Sequence, residues 1–492
     1  MDSRFFQYFN IITPMRLMIP TKSVISTGRK HTFSRILYEF FFIFLSFFKI
    51  ILTIKSFYQL ILIKSFFHST YLHMKNTYNE NLIFKFNRKI KQGTLSERNI
   101  ERIALSENIT CDSILAQYHH YLGDSKKTGF YNLMVLKNRL ELQSDTFGEN
   151  RITFLDPSWT ASIGHLGLLS MFVRFKRISL NHDVNTTVVL NSQSNNNLLL
   201  NLYSKHLNIV PFQPDIHNSF KSQFQGLSTI ETTIGHLGLY SAFNYAIRED
   251  SYKKLFDLPH NVLDIGFDYL KNFGFKNDDW FVTFHIRETR RKDGFISSAN
   301  PPISSFLPAI KHVLDSGGWV VRVGNHSMTP LPSDIAHANQ VIDYSQERNQ
   351  SEDLNLFFLG ACKLMVGSES GPKLIPNIFG VPCLVTNLPH VSHCHDLPGF
   401  TIPQNIYTLK EKRTLSLRES LESPLGWNAR EYAEGFSRQP NSADEILDSL
   451  QYLLLDKVSK TESNLNFEKI RGLENSAKIA PSFIERNPHY LE

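Results

Sequence analysis

The sequence predicts an α/β fold with two Rossmann-like domains, preceded by a hydrophobic helical segment. Three observations support this. From residue 151 onward, short apolar runs typical of strands alternate with helical stretches, as in parallel βαβ units. The chain has 492 residues, about three times the roughly 150 of a common domain, so it holds at least two domains. Residues 1–75 differ from the rest because they are basic and rich in phenylalanine.

The composition is that of a globular protein. With 42% hydrophobic and 20% charged residues, the chain is neither disordered nor fibrous. Of the net charge of +6, residues 1–75 contribute +8, because ten Lys and Arg stand there against Asp2 and Glu39. The remaining chain is nearly neutral, whereas a nucleic-acid-binding domain usually carries its own basic surface. We therefore expect no nucleic-acid partner.

The segment 1–75 also holds 13 of the 39 phenylalanines, and it predicts contact with a membrane. Residues 36–67 form one long apolar run, whereas a bilayer span needs about 20 apolar residues. Three lysines interrupt the run, at Lys49, Lys55 and Lys64, and lysine is costly at mid-membrane depth. A helix or helix pair lying in the interface is favoured, and a true span or a cytosolic hairpin stays possible. We expect a membrane-associated protein at the cytoplasmic face. The four cysteines share no CxxC spacing, which fits a reducing compartment.

Residues 76–150 are polar-rich and predict a helical region without a chemical motif. The first Rossmann-like domain is expected at 151–270. Its strands are predicted in RITFLDPSW, TTVVLNS and LNIVPF, with helical runs that begin near Gly164 and Asn197.

A hexapeptide, IGHLGL, occurs twice in this domain, at 163–168 and at 234–239. In each copy a glycine opens a helix, so backbone N–H groups can approach an anionic or hydroxylated ligand. Gly164 and Gly167 of the first copy are therefore candidate substrate-binding residues. The alternative is that these small residues only allow close packing of a helix.

The second Rossmann-like domain is expected at 271–455. Its predicted strands are WFVTFHIRE, WVVRVGN, QVIDYS, KLMVGSESG and, as the last one, PCLVTN. Its predicted helices are ISSFLPAIKHVLDSGG, SEDLNLFFLGACK and a short one in PKLIPNIFG. Ser442 and Glu445 form a capping box for a closing helix that runs to about Leu455. Residues 456–492 are charged and poor in hydrophobic residues, which predicts a mobile tail.

Candidate ligand-binding residues follow three strands of this second domain. Ligands of an open parallel sheet bind beyond the carboxyl ends of its strands. The residues at these ends are His285, Arg287, Arg322, Gly324, Ser368, Glu369, Ser370 and Gly371. A guanidinium can hold a diphosphate, and a Gly-Ser turn offers backbone N–H groups to the same anion. Together they predict a nucleotide diphosphate pocket, although each alone also fits a structural ion pair, a turn or a core histidine.

Several segments resemble a family of bacterial glycosyltransferases encoded with surface-polysaccharide genes. The resemblance is carried by HIRE at 285–288, AIKHVLDSGGWVVRVGN at 309–325, PLPSDIAHANQVIDYS at 330–345, SED at 351–353, GSESGPKLIPNIFGVPCLVTN at 367–387 and the first IGHLGL. The HxR strand end is also similar to the nucleotide-sugar motif of fucosyltransferases. The resemblance covers roughly residues 150–455 and implies a GT-B-like fold, in which two Rossmann-like domains face a cleft.

That resemblance implies a donor in the C-terminal domain and an acceptor in the N-terminal one. Arg287 would bind the diphosphate of a nucleotide-sugar donor, Arg322 and Ser370 would support it, and His165 would lie near a glycan or lipid-linked acceptor. An epimerase or phosphorylase of the same fold, or a non-catalytic sugar-nucleotide-binding scaffold, is the alternative.

The chemistry that we expect is metal-independent sugar transfer with a nucleotide-sugar co-substrate and no further cofactor. The chain contains no Asp-x-Asp, the usual metal-diphosphate motif, so positive side chains would stabilise the leaving group. Candidates for the general base are His165, His236 and Glu288. The histidines and Cys394 within 390–396 match no standard zinc spacing, so we expect a polar loop there.

Overall fold

A computed structural model describes residues 112, 115–116, 118–119, 124–144, 152–155, 157–178, 186–191, 196–211, 235–288, 300–389, 397–425, 433–455 and 478–491. All of these belong to one compact unit, His68–Glu492. The predicted membrane segment 1–75 lies outside the described residues, and its role stays a prediction. In the part of the chain given above, no helix is long and apolar enough to cross a membrane. The predicted domain boundaries also stay predictions.

The N-terminal half contains a parallel three-stranded sheet in the order β1-β2-β3. Its strands are β1 (Ile152–Leu155), β2 (Thr186–Asn191) and β3 (Asn208–Pro211). Its helices are α1 (Ser125–Ser144), α2 (Ile163–Leu168), α3 (Ser170–Ile178), α4 (Asn197–Tyr203) and α5 (Gly235–Glu249). The predicted strands and the helices that start near Gly164 and Asn197 are confirmed.

The C-terminal half contains a parallel six-stranded sheet in the order β6-β5-β4-β7-β8-β9. Its strands are β4 (Phe281–His285), β5 (Trp319–Arg322), β6 (Val341–Ile342), β7 (Leu364–Ser368), β8 (Cys383–Leu388) and β9 (Gly399–Pro403). Helices α6 (His260–Lys271), α7 (Leu307–Asp315), α8 (Ser333–Ala336) and α9 (Glu352–Gly360) lie along the same stretch of chain. The predicted α/β class is confirmed, and this strand order is that of a Rossmann fold.

The prediction that PCLVTN holds the last strand is wrong, because β9 follows it and pairs with β8. Beyond β9 lies a small antiparallel sheet in the order β11-β10-β12, formed by β10 (Asn405–Thr408), β11 (Arg413–Thr414) and β12 (Phe436–Gln439). Helices α10 (Leu417–Glu422) and α11 (Ala443–Leu454) accompany it. The capping box of Ser442 and Glu445 at the start of α11 is confirmed.

The prediction of a mobile tail over 456–492 is wrong for residues 478–491. They form α12 (Pro481–Arg486) and a 3-10 helix, Pro488–Leu491. Phe483 and Tyr490 are buried in the core of the C-terminal half, and Ala480 donates its backbone N–H to the carbonyl of Thr401 in β9. Two aromatic anchors therefore hold this end of the chain, despite its low average hydrophobicity.

The segment PKLIPNIFG is not one short helix but two consecutive 3-10 helices, Gly371–Leu374 and Pro376–Phe379. Pro372 and Pro376 lack the backbone N–H that an α-helix would use, which favours short turns here. The left-handed Gly380, with φ of +77°, ends the second one. These turns connect β7 to β8 at the edge where the candidate site lies.

Alternate residues of the second sheet face two different cores. Phe281 and Val321 pack in a core that continues into the N-terminal half, together with Trp159. Val282 and Val320 pack in a second core with α7, α11 and α12. Because successive strand residues point to opposite faces, His285 projects on the side of Phe281, towards the N-terminal half.

A buried arginine joins the two halves. The Arg174 guanidinium of α3 is fully buried and donates to the Asp250 carboxylate at 2.7 Å. It also donates to the backbone and side-chain oxygens of Asn377 in the second 3-10 helix, at 3.4 and 3.3 Å. This interaction fixes α3 against the connection between β7 and β8, and therefore positions the N-terminal half over that edge of the sheet.

Candidate functional site

The candidate site lies where the strand order of the second sheet reverses. From β4 the chain continues to β5 on one side, whereas β7, on the other side of β4, continues to β8. Such a reversal leaves a crevice beyond the carboxyl ends of the two central strands, and ligands of open parallel sheets bind there. His285 is the last residue of β4 and Arg287 follows it; Ser368 is the last residue of β7 and the rest of the turn 368–371 follows it. The topology therefore brings together two of the three sequence-predicted groups.

Arg287 is anchored directly to the turn that follows β7. Its backbone N–H donates to the Ser368 hydroxyl at 2.8 Å, and Ser368 is fully buried. Its Nη1 donates to the backbone carbonyl of Glu369 at 3.1 Å. The guanidinium is half-buried, and these two partners are uncharged groups. A guanidinium at such a strand end can form charge-assisted hydrogen bonds to an anion.

His285 is buried beneath Arg287. Its Nδ1 lies 3.3 Å from the carbonyl of Val323, and its Nε2 is buried with no hydrogen-bond partner among the described residues. The pKa of His285 is lowered to about 4, mainly by burial; the Val323 carbonyl opposes this effect, and the charges of Arg322 and Arg287 add to it. The imidazole is therefore neutral near pH 7. With Nδ1 donating to Val323, Nε2 is a hydrogen-bond acceptor.

Arg322 has a different environment, formed by two carboxylates. Its side chain is fully buried and donates to Glu288 at 3.0 Å, to Asp343 at 3.3 Å and to the carbonyl of Thr329 at 2.6 Å. The second Glu288 oxygen accepts bonds from the backbone N–H and the hydroxyl of Thr329. These groups form an ion-paired cluster, in which the buried Arg322 Nε has no hydrogen-bond partner among the described residues. Contact of Arg322 with a diphosphate, and base catalysis by Glu288, stay predictions.

Glu369 forms an ion pair with a lysine that the sequence analysis did not single out. The Lys373 Nζ contacts the Glu369 Oε2, and the lysine is only 2% exposed. The Glu369 backbone N–H donates to the carbonyl of Thr386 in β8. Tyr240 of α5 lies near this pair, since burial, and to a lesser extent the Glu369 charge, raises the pKa of its phenol. The carboxylate is therefore neutralised where it stands.

The first IGHLGL packs against the turn after β7 without intervening side chains. A Cβ at Gly164 would lie 2.8 Å from the Cα of Gly371, and a Cβ at Gly167 would lie 2.5 Å from the Cβ of Leu374. Close packing alone therefore requires all three glycines, as the alternative interpretation of the hexapeptide holds. It also places the first turn of α2 beside the crevice. Substrate contact by Gly164, Gly167 and Gly371 stays a prediction.

The remaining predicted residues have structural partners as well. The His165 Nδ1 lies 2.6 Å from the carbonyl of Ser158, and its backbone N–H donates to Ser162, the N-cap of α2. Gly324 lies against Met328, whose sulfur would be 2.3 Å from an added Cβ. Ser370 is the extended residue before the 3-10 helix Gly371–Leu374. The side chain of His236 lies outside what the structure describes, so the choice of base stays open.

The buried charged residues that the sequence analysis missed include Lys373 and Arg174. A lysine four residues after a glutamate usually indicates an exposed helix pair, and nothing local in the sequence marks this one as buried. Arg174 stands in an apolar run, MFVRF, and this isolated charge was the available indication. The described residues contain no group of three or more His, Cys, Asp or Glu that could hold a metal ion. The polar cluster at 390–396 lies outside them.

No protein-family model matches the chain, and no curated protein matches it. Three solved structures to which it is similar are glycosyltransferases. The family 9 glycosyltransferase of Veillonella parvula is 10% identical, with a TM-score of 0.36 over 62% of this chain and 97% of its own. The ADP-heptose lipopolysaccharide heptosyltransferase II of E. coli is 14% identical, with a TM-score of 0.39 over 62% and 99%.

An E. coli heptosyltransferase solved with ADP-2-deoxy-2-fluoro heptose is 11% identical, with a TM-score of 0.27 over 48% of this chain and 89% of its own. All three similarities have TM-scores below 0.5, so they do not establish the function of this chain.

Proposed function

We propose that this chain is a glycosyltransferase that moves a sugar from a nucleotide-sugar donor to a glycan or lipid-linked acceptor in surface polysaccharide synthesis. The observation that carries the proposal is the place of Arg287. It follows β4 at the reversal of strand order and is bonded to the turn that follows β7. A crevice of this kind takes nucleotides in open parallel sheets.

The leaving group of the reaction is a nucleoside diphosphate, and its negative charge must be stabilised as the sugar departs. In our proposal the Arg287 guanidinium binds the diphosphate, with the backbone of Ser370 and Gly371 beside it. Because the Glu369 carboxylate is paired with Lys373, its repulsion of the negatively charged diphosphate would be reduced. Transfer is proposed to proceed without a divalent metal, since positive side chains supply the same stabilisation.

The acceptor hydroxyl must lose a proton during transfer. His165 and Glu288 are the proposed candidates for the base. Glu288 accepts bonds from Arg322 and Thr329, which occupy both of its oxygens. His165 holds its Nδ1 near the Ser158 carbonyl, so its Nε2 would be the atom that accepts the proton.

Ligand-induced thermal shift of the full-length chain tests the proposal. We would measure the shift in melting temperature caused by ADP, GDP, UDP and CDP and by their hexose conjugates, in one series with EDTA and in a parallel series with Mg²⁺. Three proteins are compared: wild type, Arg287→Ala and, as a matched control, Arg418→Ala, which removes an exposed arginine of α10. We expect one nucleotide series to stabilise wild type and the control and to leave Arg287→Ala unshifted.

If no nucleotide shifts the wild type, or if Arg287→Ala binds as wild type does, the proposed function fails. If a sugar nucleotide binds but is neither hydrolysed nor transferred, the protein is a sugar-nucleotide-binding scaffold. Stabilisation that needs a divalent ion and disappears with EDTA would contradict metal independence.

We also propose that residues 1–75 hold the protein at the cytoplasmic face of a membrane. Their charge of +8 and their many phenylalanines support this. Full-length protein should float with vesicles containing anionic lipid at low salt, and a chain lacking residues 1–75 should not. Equal flotation of both would contradict the assignment.

A further inference from the structure

The turn after β7 contains a lysine in a place where lysine is rare. Lys373 lies in the 3-10 helix Gly371–Leu374, and its side chain is 3% exposed. Lysines are almost never fully buried unless they are paired. Its partner is the Glu369 carboxylate, whose side chain is 19% exposed. The ion pair thus joins a buried lysine to a glutamate whose side chain is partly exposed.

Glu369 contacts three residues, which come from separate parts of the chain. Its N–H donates to the carbonyl of Thr386 in β8, its carboxylate contacts Lys373, and its own carbonyl accepts from Arg287. The residue that Lys373 neutralises is therefore also the residue that orients the Arg287 guanidinium. Lys373 and Arg287 therefore both contact Glu369.

Arg287 brings a positive charge to this turn, and Glu369 brings a negative one. An unpaired Glu369 carboxylate would stand beside the position of a bound diphosphate and would repel it. We propose that Lys373 is a positioning residue of the donor site, which cancels the Glu369 charge and thereby lets Arg287 bind the diphosphate. This inference rests on the proposed function and extends it to a residue that does not itself contact the donor.

A further residue, Tyr240, lies near Glu369. It comes from α5, the helix that opens with the second IGHLGL, and the Glu369 charge adds to burial in raising the pKa of its phenol. The phenol is therefore neutral near pH 7 and can donate a hydrogen bond in this region. Tyr240 directly follows the second IGHLGL, so α5 brings a residue near Glu369.

The experiment measures the dissociation constant of inorganic pyrophosphate, a diphosphate probe without base or sugar, for the full-length chain. The variants are Lys373→Met, Lys373→Arg and the double variant Glu369→Gln/Lys373→Met. The matched control is Lys271→Met, which breaks the Lys271–Asp268 ion pair on α6, where the side chains are 57% and 72% exposed. The melting temperature without ligand is recorded for each, so that a folding defect is separated from a binding defect.

We expect Lys373→Met to weaken pyrophosphate binding about tenfold or more, which corresponds to about 1.4 kcal/mol. Lys373→Arg should stay within about threefold of wild type, since it keeps the charge, and the double variant should recover most of the loss, since it removes both charges. Lys271→Met should bind as wild type.

Wild-type affinity in Lys373→Met would overturn the inference, and so would a folded double variant that binds as weakly as the single one. If Lys373→Met does not fold, the double variant decides in the same way, because two neutral side chains leave no unpaired buried charge. Loss of pyrophosphate binding in Arg287→Ala together with an unaffected Lys373→Met would refute this inference alone. An absence of binding in wild type would instead remove the proposed function on which it rests.

Discussion

Arg287 and Arg322 come from the ends of neighbouring parallel strands, yet their surroundings are opposite. Arg322 is fully buried between two carboxylates, those of Glu288 and Asp343. Arg287 is half-buried, and its contacts at Ser368 and Glu369 are a hydroxyl and a backbone carbonyl. The charge of Arg322 is therefore balanced by two carboxylates, whereas these two contacts of Arg287 are with neutral groups. At the same sheet edge one arginine belongs to an ion-paired cluster, and we propose that the other binds a diphosphate.

Replacing Arg322 should have the largest effect on stability. Arg322→Ala leaves Glu288 and Asp343 without their shared cation in a buried place, and breaking such a pair costs about 3–5 kcal/mol. We expect the free energy of unfolding in urea to fall by that amount. Arg413→Ala is a matched control, because Arg413 also contacts two carboxylates, Glu411 and Glu419, but at the exposed surface. The control should change stability little.

The contrast between the two arginines fails if the midpoint of urea unfolding of Arg322→Ala equals that of wild type. It breaks down equally if Arg322→Ala loses nucleotide binding while its stability is unchanged, since Arg322 would then resemble Arg287.

His285 predicts a pH dependence of stability. Its pKa is about 4 in the folded chain and about 6.5 when unfolded, so between these values only the unfolded state takes up the proton. The stabilisation is complete above pH 6.5 and declines as pH falls towards 4, by up to about 3 kcal/mol. Urea unfolding at pH 7.5, 6.0 and 5.0 should show a smaller decline in His285→Asn than in wild type.

The exposed His326 supplies the control for this experiment, since His326→Asn should follow the wild-type profile. Parallel profiles of His285→Asn and wild type would show that His285 titrates as an exposed histidine does. In that case the crevice below Arg287 is more open to water than the structure implies.

A smaller effect is expected where α2 covers the side of the crevice near Arg287. In Gly164→Ala the added Cβ would stand 2.8 Å from the Cα of Gly371, and since that Cα belongs to the backbone, the helix or the turn must shift. Overpacking of this kind costs about 1–3 kcal/mol. Gly317→Ala offers a contrast, because no atom lies within 4 Å of its Cβ and only the φ of +78° opposes it. A Gly164→Ala variant as stable as wild type would mean that α2 does not seat on this turn.

Much of the second sheet could be predicted because buried parallel strands are continuous apolar runs, and β4, β5, β7 and β8 all have that pattern. The strand β9 was missed because it begins at Gly399 and ends at Pro403, residues that usually indicate a loop. Gly399 is required there, since its φ is +110° and a Cβ would lie 2.1 Å from the Cys383 carbonyl oxygen. The reason for this glycine is a tertiary contact, which no local pattern contains.

The site residues also differ in whether a local pattern or a tertiary contact determines their surroundings. Strand ends and the rule for parallel sheets were enough to bring Arg287 and Ser368 together. The partners of Arg322 could not be predicted, because Glu288 and Asp343 lie 34 and 21 residues away along the chain. Nor could the burial of Lys373, which depends on how the turn packs in the folded chain. Charge pairing at long range therefore separates the two arginines, and only the folded structure contains it.

The smallest effect on stability, and the most informative one, is expected at Arg287. Arg287→Ala removes the bond from Nη1 to the Glu369 carbonyl, and a net contribution of about 1 kcal/mol is typical of such a bond at a half-buried site. The ligand-free melting temperature should therefore drop far less than in Arg322→Ala, whereas the stabilisation by a nucleoside diphosphate should disappear. If Arg287→Ala is instead as unstable as Arg322→Ala, its guanidinium is a structural ion partner like that of Arg322, and the difference between the two strand ends loses its functional meaning.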